Sequence, residues 1–448
     1  MTARCTGTQQ GVLQYWGRSN THQYWFAIGL QFGQKFFNLA FCCYLHHQYF
    51  NWAAVPGGRI SNPPTSQSPI VGGKFIRHPT NIDNHKEFMK FKGLLFLLFA
   101  FGLTAQGQTT KKISQPEKDF EIFWTTFKNN YAFFQLKGVN WDSSYTKFRP
   151  LVTKKTNQKE LVSILGQMVE PLKDGHITIS KGEEILFKSK KPSYFKQEFK
   201  GVEAAFWSTV YKTLENNNFS AVKGIGPVFK DENLYYVSKN SNVGYIRITR
   251  CFANPESIFD DKKEIDDTKL MLTLFDSIIN SLSSTKAIII DIRANGGGHG
   301  GIELASRFTK EKILTHYKTV RTKGNYESFT KLEPNYLTPN SGTKYLNPII
   351  ILTNDKTASS AEDFTISLYH LPRVTTIGTN TSGMLSDMFG GNISNKISFT
   401  LSNQRYYTID NKLLEDIGVP VKIEVKNTKQ DIENKIDPVI IKAIEKTE

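Results

Sequence analysis

The sequence predicts an α/β protein, with a helical N-terminal subdomain followed by a mixed α/β sheet core. Three observations carry this. Residues 349–352 are a continuous β-branched and aliphatic run, the mark of a strand buried on both faces. From about residue 234 onward, such runs alternate with helical patterns, as in βαβ units. Residues 113–174, by contrast, carry a helical period alone.

In that first stretch Phe120, Phe123, Trp124, Phe127 and Tyr131 fall at three- and four-residue steps, an amphipathic helical face. Asn140-Trp141-Asp142 opens a second segment. Leu161, Ile164, Leu165, Met168 and Leu172 mark a third helix, which stops at Lys173-Asp174-Gly175-His176. Ile177 and Ile179 then alternate as in a strand, so His176 sits at a helix-to-strand corner. Beyond a poorly patterned stretch, a helix is expected over 202–214 and strands over 234–237 and 243–249. A helix over 270–282, a strand over 287–292, a glycine loop over 295–301 and a short helix over 302–308 follow. The strand at 349–352 then turns through polar residues 353–357 into a helix over 358–371.

The chain has 448 residues, a formal charge of +15 and 39% hydrophobic residues, enough for a large core and for two to three domains. Residues 1–88 do not read as one of them. They hold Cys5, Cys42 and Cys43, and their acids are only Asp83 and Glu87; neither a helical nor a strand period persists, and 55–69 reads as irregular chain. Met89-Lys90-Phe91-Lys92 then opens a basic segment, residues 94–103 are apolar, and Ala105 and Gly107 are small. That is the make-up of a signal peptide. The run is too short to span a bilayer, which takes about 20 apolar residues, so no stable membrane insertion is expected after cleavage. The organisation that follows is a non-native upstream extension over 1–88, a signal peptide over 89–107 and a helical subdomain over 108–180. A connecting region or lid over 181–241 leads to an α/β catalytic core over 242–448. The mature protein would begin near Gln108, exported to a periplasm or the extracellular space. It would keep one cysteine, Cys251, read as buried and structural. Positive charge is spread along the chain, with no basic block beyond Lys188-Ser189-Lys190-Lys191, which argues against nucleic acid.

Two places carry chemistry. Ser359 and Ser360 stand where the strand turns into its helix, with orphan N–H groups pointing outward. An α/β enzyme presents a nucleophile there. The same Ser359-x-x-Glu362 also reads as a capping box. The second place is Asp291-Ile292-Arg293-Ala294-Asn295 with the glycines up to Gly301. It lacks the Lys-Ser/Thr of a phosphate-binding loop and is too glycine-crowded for a dinucleotide fingerprint. An exposed backbone N–H for an oxyanion is the alternative use. No paired His/Cys spacing suggests a metal, and no cofactor is expected.

Together, Asp174-Gly175-His176, Asp291-x-Arg293-x-Asn295-x-Gly297-Gly298, Thr357-Ala358-Ser359-Ser360-Ala361-Glu362 and Glu415-Asp416-Ile417-Gly418-Val419 resemble, in order, the motifs of the C-terminal-processing, or tail-specific, serine peptidases. The resemblance runs from about Phe120 to the C-terminus. It implies a core of the tail-specific peptidase (ClpP/crotonase-like) type, Ser359 as nucleophile, and an oxyanion hole from the Ser360 N–H with Gly297. Most bacterial members use a lysine base in a T-x-G-K segment, but Thr381-Ser382-Gly383-Met384 stands here. The tricorn-like branch instead takes a histidine from the D-G-H corner and a glutamate from the late motif, matched by His176 and Glu415. That branch has a serine before its histidine, where this chain has Gly175, and the late Pro-Asp is replaced by Val421-Lys422. There is no evident room for a PDZ module between His176 and Val243. The resemblance implies hydrolysis of peptides or unfolded protein tails. A non-catalytic ligand- or peptide-binding protein on the same fold is the alternative; a nucleotide-binding α/β protein rests on the glycine loop alone.

Overall fold

A computed structural model describes residues 113–258 and 260–447, together with three N-terminal strands. The chain divides into two compact units, residues 1–105 and 106–448. In the first unit Val12–Arg18, Tyr24–Phe32 and Lys35–Cys43 form an antiparallel three-stranded sheet. The sequence reading found no strand period there. Segments such as Tyr24-Trp25-Phe26-Ala27-Ile28 are apolar almost throughout and so lack the alternation that announces a strand. The expected signal segment, residues 89–107, lies outside the described residues.

The second unit has the helical N-terminal region and the mixed sheet core that were expected. Helices Gln115–Asn130, Trp141–Phe148 and Gln158–Val169 are capped by Ser114, Asn140 and Asn157. Phe120, Phe123, Phe127, Trp141, Leu165 and Met168 are fully buried in one cluster. That cluster is closed by Ile397, Phe399 and Leu401 from far along the chain. They belong to a four-stranded antiparallel sheet ordered Met388–Asn392, Ile397–Ser402, Thr178–Lys181, Glu184–Lys188. The third helix ends through a 3-10 turn at Lys173, whose φ of 48° is left-handed, and this starts the corner that carries His176.

Seven strands make the central sheet, and their spatial order follows the chain: Lys223–Phe229, Glu232–Lys239, Val243–Ile248, Ala287–Asp291, Ile349–Thr353, Val374–Gly378, Ile423–Glu424. The first two are antiparallel and the other five run parallel. Every residue of Ala287–Asp291 and Ile349–Thr353 is buried, because helices cover both faces. Successive side chains alternate between those faces. Ile288, Ile290, Ile349 and Ile351 pack with Met271 and Phe275, whereas Ile289, Ile350 and Leu352 pack with Phe206, Trp207, Val439 and Ile440. Helix Asp261–Ser281 starts nine residues earlier than its apolar period indicates. Its first turns are charged, so no buried stripe marks them. A smaller sheet of Glu333–Leu337, Ile313–Val320 and Gln404–Tyr407 completes the unit. No helix among the described residues is long and apolar enough to cross a membrane.

Candidate active site

Ala287–Asp291 and Ile349–Thr353 are neighbours in register, with Leu352 opposite Asp291. The glycine loop and the Ser359 turn therefore leave the sheet side by side at its carboxyl edge, where open α/β sheets place their ligands. The two loops are laced together. Thr357 Oγ1 donates to the Ile292 carbonyl at 2.9 Å, the Ala358 N–H to the Asn295 carbonyl at 2.9 Å, and the Gly301 N–H to Ser360 Oγ at 2.8 Å. Contact is so close that a Cβ on Gly301 would lie 1.8 Å from the Ser360 carbonyl oxygen. A Cβ on Gly297 would lie 2.8 Å from Ser359 Cβ and 2.9 Å from the Ser360 nitrogen. Only glycine fits there.

Ser359 is the N-cap of helix Ser360–Tyr369, with φ 54° and ψ −127°. A β-carbon is disfavoured in that conformation, and such outliers collect at functional sites because the surroundings must hold them. The surroundings here are explicit. The Ser359 N–H donates to the Met384 carbonyl at 3.1 Å and to Glu362 Oε2 at 3.1 Å. Glu362 makes the expected capping box, but its shorter bonds go elsewhere: it accepts from Thr381 Oγ1 at 2.6 Å and from the N–H groups of Gly383 at 2.7 Å and Met384 at 2.8 Å. Burial raises its carboxyl above the ordinary value, against the pull of those donors.

Asp291 and Arg293 of the loop motif are scaffold. The Arg293 guanidinium, fully buried, grips Asp291, Asp437 at 2.7 Å and Asn427 at 2.9 Å, pinning the C-terminal helix Pro438–Glu445 under the loop. Cys251 is buried as expected. Its carbonyl accepts from the His299 and Gly300 N–H groups, and burial pushes its thiol up to about 12. Gly297 has its N–H on Asn295 Oδ1 at 2.8 Å, so that donor is already engaged. Ser360 is the first helical residue, so its N–H lacks an intrahelical partner.

His176 is buried, 6% exposed, at the predicted corner. Its N–H donates to Asp174 Oδ1 at 2.9 Å, its Nδ1 lies 3.4 Å from Ser402 Oγ, and its Nε2 has no partner among the described residues. Burial pushes its imidazole below the ordinary value; Asp174 and Asp387 oppose this, and Lys191 and Lys188 reinforce it. No hydrogen bond joins His176 to Ser359 among the described residues, but Met384 lies beside both Ser359 and Gly175, the residue before His176. The Met384 carbonyl holds the Ser359 N–H, and the Met384 Cε would be 2.7 Å from a Cβ on Gly175. Two departures from the family pattern thus meet in space: the methionine that replaces the lysine occupies the room a serine before His176 would need.

Glu415 is 4% exposed, so it is not a solvated loop acid. Lys137 Nζ lies 3.6 Å from its Oε1. Burial, with Asp174 nearby, raises its carboxyl well above the ordinary value against Lys191 and Lys137. No hydrogen bond joins it to His176 among the described residues. His299 is held away from Ser359, with Nε2 3.0 Å from Ser257 Oγ and Nδ1 3.1 Å from Thr268 Oγ1. His370 is the C-cap of helix Ser360–Tyr369. Burial and Lys422 push its imidazole down, so the helix dipole does not decide its charge. Ser402, Lys137 and Lys191 carry no motif that marks them in the sequence. Lys191 had the one available signal, membership of the only basic block.

The family match and the similar fold make this a serine-type peptidase of α/β build. The profile of peptidase family S41 matches residues 242–425, and that of the tricorn protease C1 domain matches residues 114–170. His176 lies between the two matched spans. The structure of a candidate peptidase from Parabacteroides merdae ATCC 43184 is similar at 27% identity and a TM-score of 0.57, covering 75% of this chain and 97% of that one. Mature CPAF is similar at 15% identity and a TM-score of 0.49, covering 72% and 94%. Tricorn protease is similar at 15% and 0.45, covering 74% and 36%. No curated protein sequence matches the chain.

Proposed function

We propose that this peptidase cleaves peptides or unfolded protein tails through a Ser359 acyl-enzyme, with His176 as general base. The observation that carries this is the strained Ser359 backbone, held against the glycine loop by bonds from both sides. With Nδ1 beside Ser402, Nε2 is the nitrogen left to take the Ser359 proton as Oγ attacks the scissile carbonyl. The contact between them would tighten when substrate binds, as catalytic hydrogen bonds in substrate-free sites often do. The Ser360 N–H receives the developing oxyanion, and Gly297 adds a donor that it shares with Asn295 Oδ1. His176 then returns the proton to the leaving amine, and water, activated by the same imidazole, releases the acyl group. Glu415 and Asp174 shape the field behind His176. The motifs shared with tail-specific peptidases support the substrate class.

We further propose that the protein is exported and that its mature form begins between about Gln106 and Gln108, after a small-x-small site. The compact unit starting at Gln106 supports that boundary.

A fluorophosphonate probe tests the chemistry. It should label the wild type at Ser359 and leave Ser359→Ala and His176→Ala unlabelled. A folded wild type that stays unlabelled would sink the acyl-enzyme and return the chain to the role of a peptide-binding protein.

A further inference from the structure

The charged groups around His176 come from four parts of the chain. Asp174 lies on its own corner, Asp387 beyond the Thr381–Met384 turn, and Lys188 and Lys191 on the strand and segment after it; Glu415 and the Tyr131 phenol sit beside Asp174. Lys191 is the one of these groups that bonds to two turns at once. Its Nζ donates to the Gly383 carbonyl at 3.0 Å and to Asp416 Oδ1 at 2.6 Å, and its side chain is 13% exposed. The Asp416 N–H donates to the same Gly383 carbonyl at 3.0 Å. A Cβ on Gly383 would lie 2.6 Å from the Asp416 nitrogen, so the two turns are pressed together. Lys137 reaches Asp416 from the helical region at 2.7 Å.

We propose that Lys191 is a positioning residue of the peptidase site, its ammonium clamping the Gly383–Met384 turn behind Ser359 to the Glu415–Asp416 turn beside His176. One end of the clamp reaches Ser359 through the next residue, because Met384 carries the carbonyl that holds the Ser359 N–H. The other end fixes the residue next to Glu415. Lys191 is not a substitute for the missing dyad lysine: its Nζ is committed to two acceptors and no bond leads to Ser359. Its charge also acts on His176, disfavouring the imidazolium that Asp174 and Asp387 would otherwise favour. The Asp416 carboxylate it grips is held below its ordinary value, the Lys137 and Lys191 bonds outweighing the cost of burial.

This rests on the acyl-enzyme reading, and one experiment separates the two. The second-order rate of fluorophosphonate labelling is followed from about pH 5 to 9 in wild type, Lys191→Met, Lys191→Arg and Ser359→Ala. Lys191→Met should react about tenfold more slowly near pH 6. Removing the positive charge raises the His176 pKa, so the acid limb of its profile should move to higher pH. Lys191→Arg should return the limb to its wild-type position. A Lys191→Met profile within about twofold of wild type at every pH overturns the proposal. Should Lys191→Met not fold, Lys191→Gln, which keeps a donor without the charge, is judged by the same shift of the limb. Labelling of Ser359→Ala at the wild-type rate would instead overturn the acyl-enzyme reading beneath it.

Discussion

Ser359 serves as helix cap and sharp turn, and in the proposed mechanism as nucleophile, and its backbone angles record the conflict. A residue other than glycine at φ 54° and ψ −127° costs on the order of 1–3 kcal/mol. Even at an unstrained N-cap glycine is better than alanine, by about 1 kcal/mol. The positive φ should widen that gap, with Ser359→Gly melting well above Ser359→Ala while both are inactive. Calorimetry of the two variants decides it. A lower melting point for the glycine variant would mean the turn is not strained.

At the scale of elements, the site is the junction of two parallel strands with three turns, and Glu362 is its main fastener. It projects from helix Ser360–Tyr369 to accept from Thr381 Oγ1, the Gly383 N–H and the Met384 N–H. Thr381 Oγ1 in turn accepts from the Val419 N–H at 2.7 Å, extending the tie to the segment after Glu415. Glu362→Ala strands several buried donors at once, each costing about 1–3 kcal/mol. The expected loss is about 3 kcal/mol or more of unfolding free energy, measured by urea denaturation, with Ser359 labelling lost as well. A variant of near wild-type stability would show that these bonds are replaced by water. The strand and helix beside Glu362 were readable from their apolar periods, but its partners 19 to 22 residues away were not. A capping box and a cross-turn tie use the same letters.

For the molecule as a whole, acid is the condition that should expose its weak points. His316 is buried on strand Ile313–Val320, stacked on Tyr406 with ring centroids 5.0 Å apart and its Nδ1 2.8 Å from Thr315 Oγ1. Burial, helped by Lys318, lowers its imidazole to about 3. The folded state therefore binds fewer protons than the unfolded chain, whose histidine titrates near about 6.5, and stability must fall as pH drops between those values. At pH 5 the loss from this one residue is about 2 kcal/mol. His176, lowered for the same reason of burial, adds in the same direction. Replacing His316 by Phe should keep the stack and flatten the decline between about pH 7.5 and 5, read from denaturation midpoints. An unchanged decline would place the acid sensitivity elsewhere. On the same scale, a chain starting at Gln108 should fold, melt and label as the full chain does, because residues 106–448 form their own compact unit. A large drop in melting temperature on removing residues 1–107 would count against that.

The sequence by itself determined the buried strands, the helix faces, the serine at its turn and the corner that carries His176. Each of these rests on residues close together in the chain, where apolar periods and glycine placement are direct consequences of local backbone geometry. Only the tertiary structure decided what surrounds them. Lys191 reaches Gly383 across 192 residues and Ser402 reaches His176 across 226. Whether Gly175 and Met384 are separate departures or one fitted pair likewise depends on their meeting in space. Contacts at that separation arise from how the sheets pack, and packing leaves no period in the sequence to read.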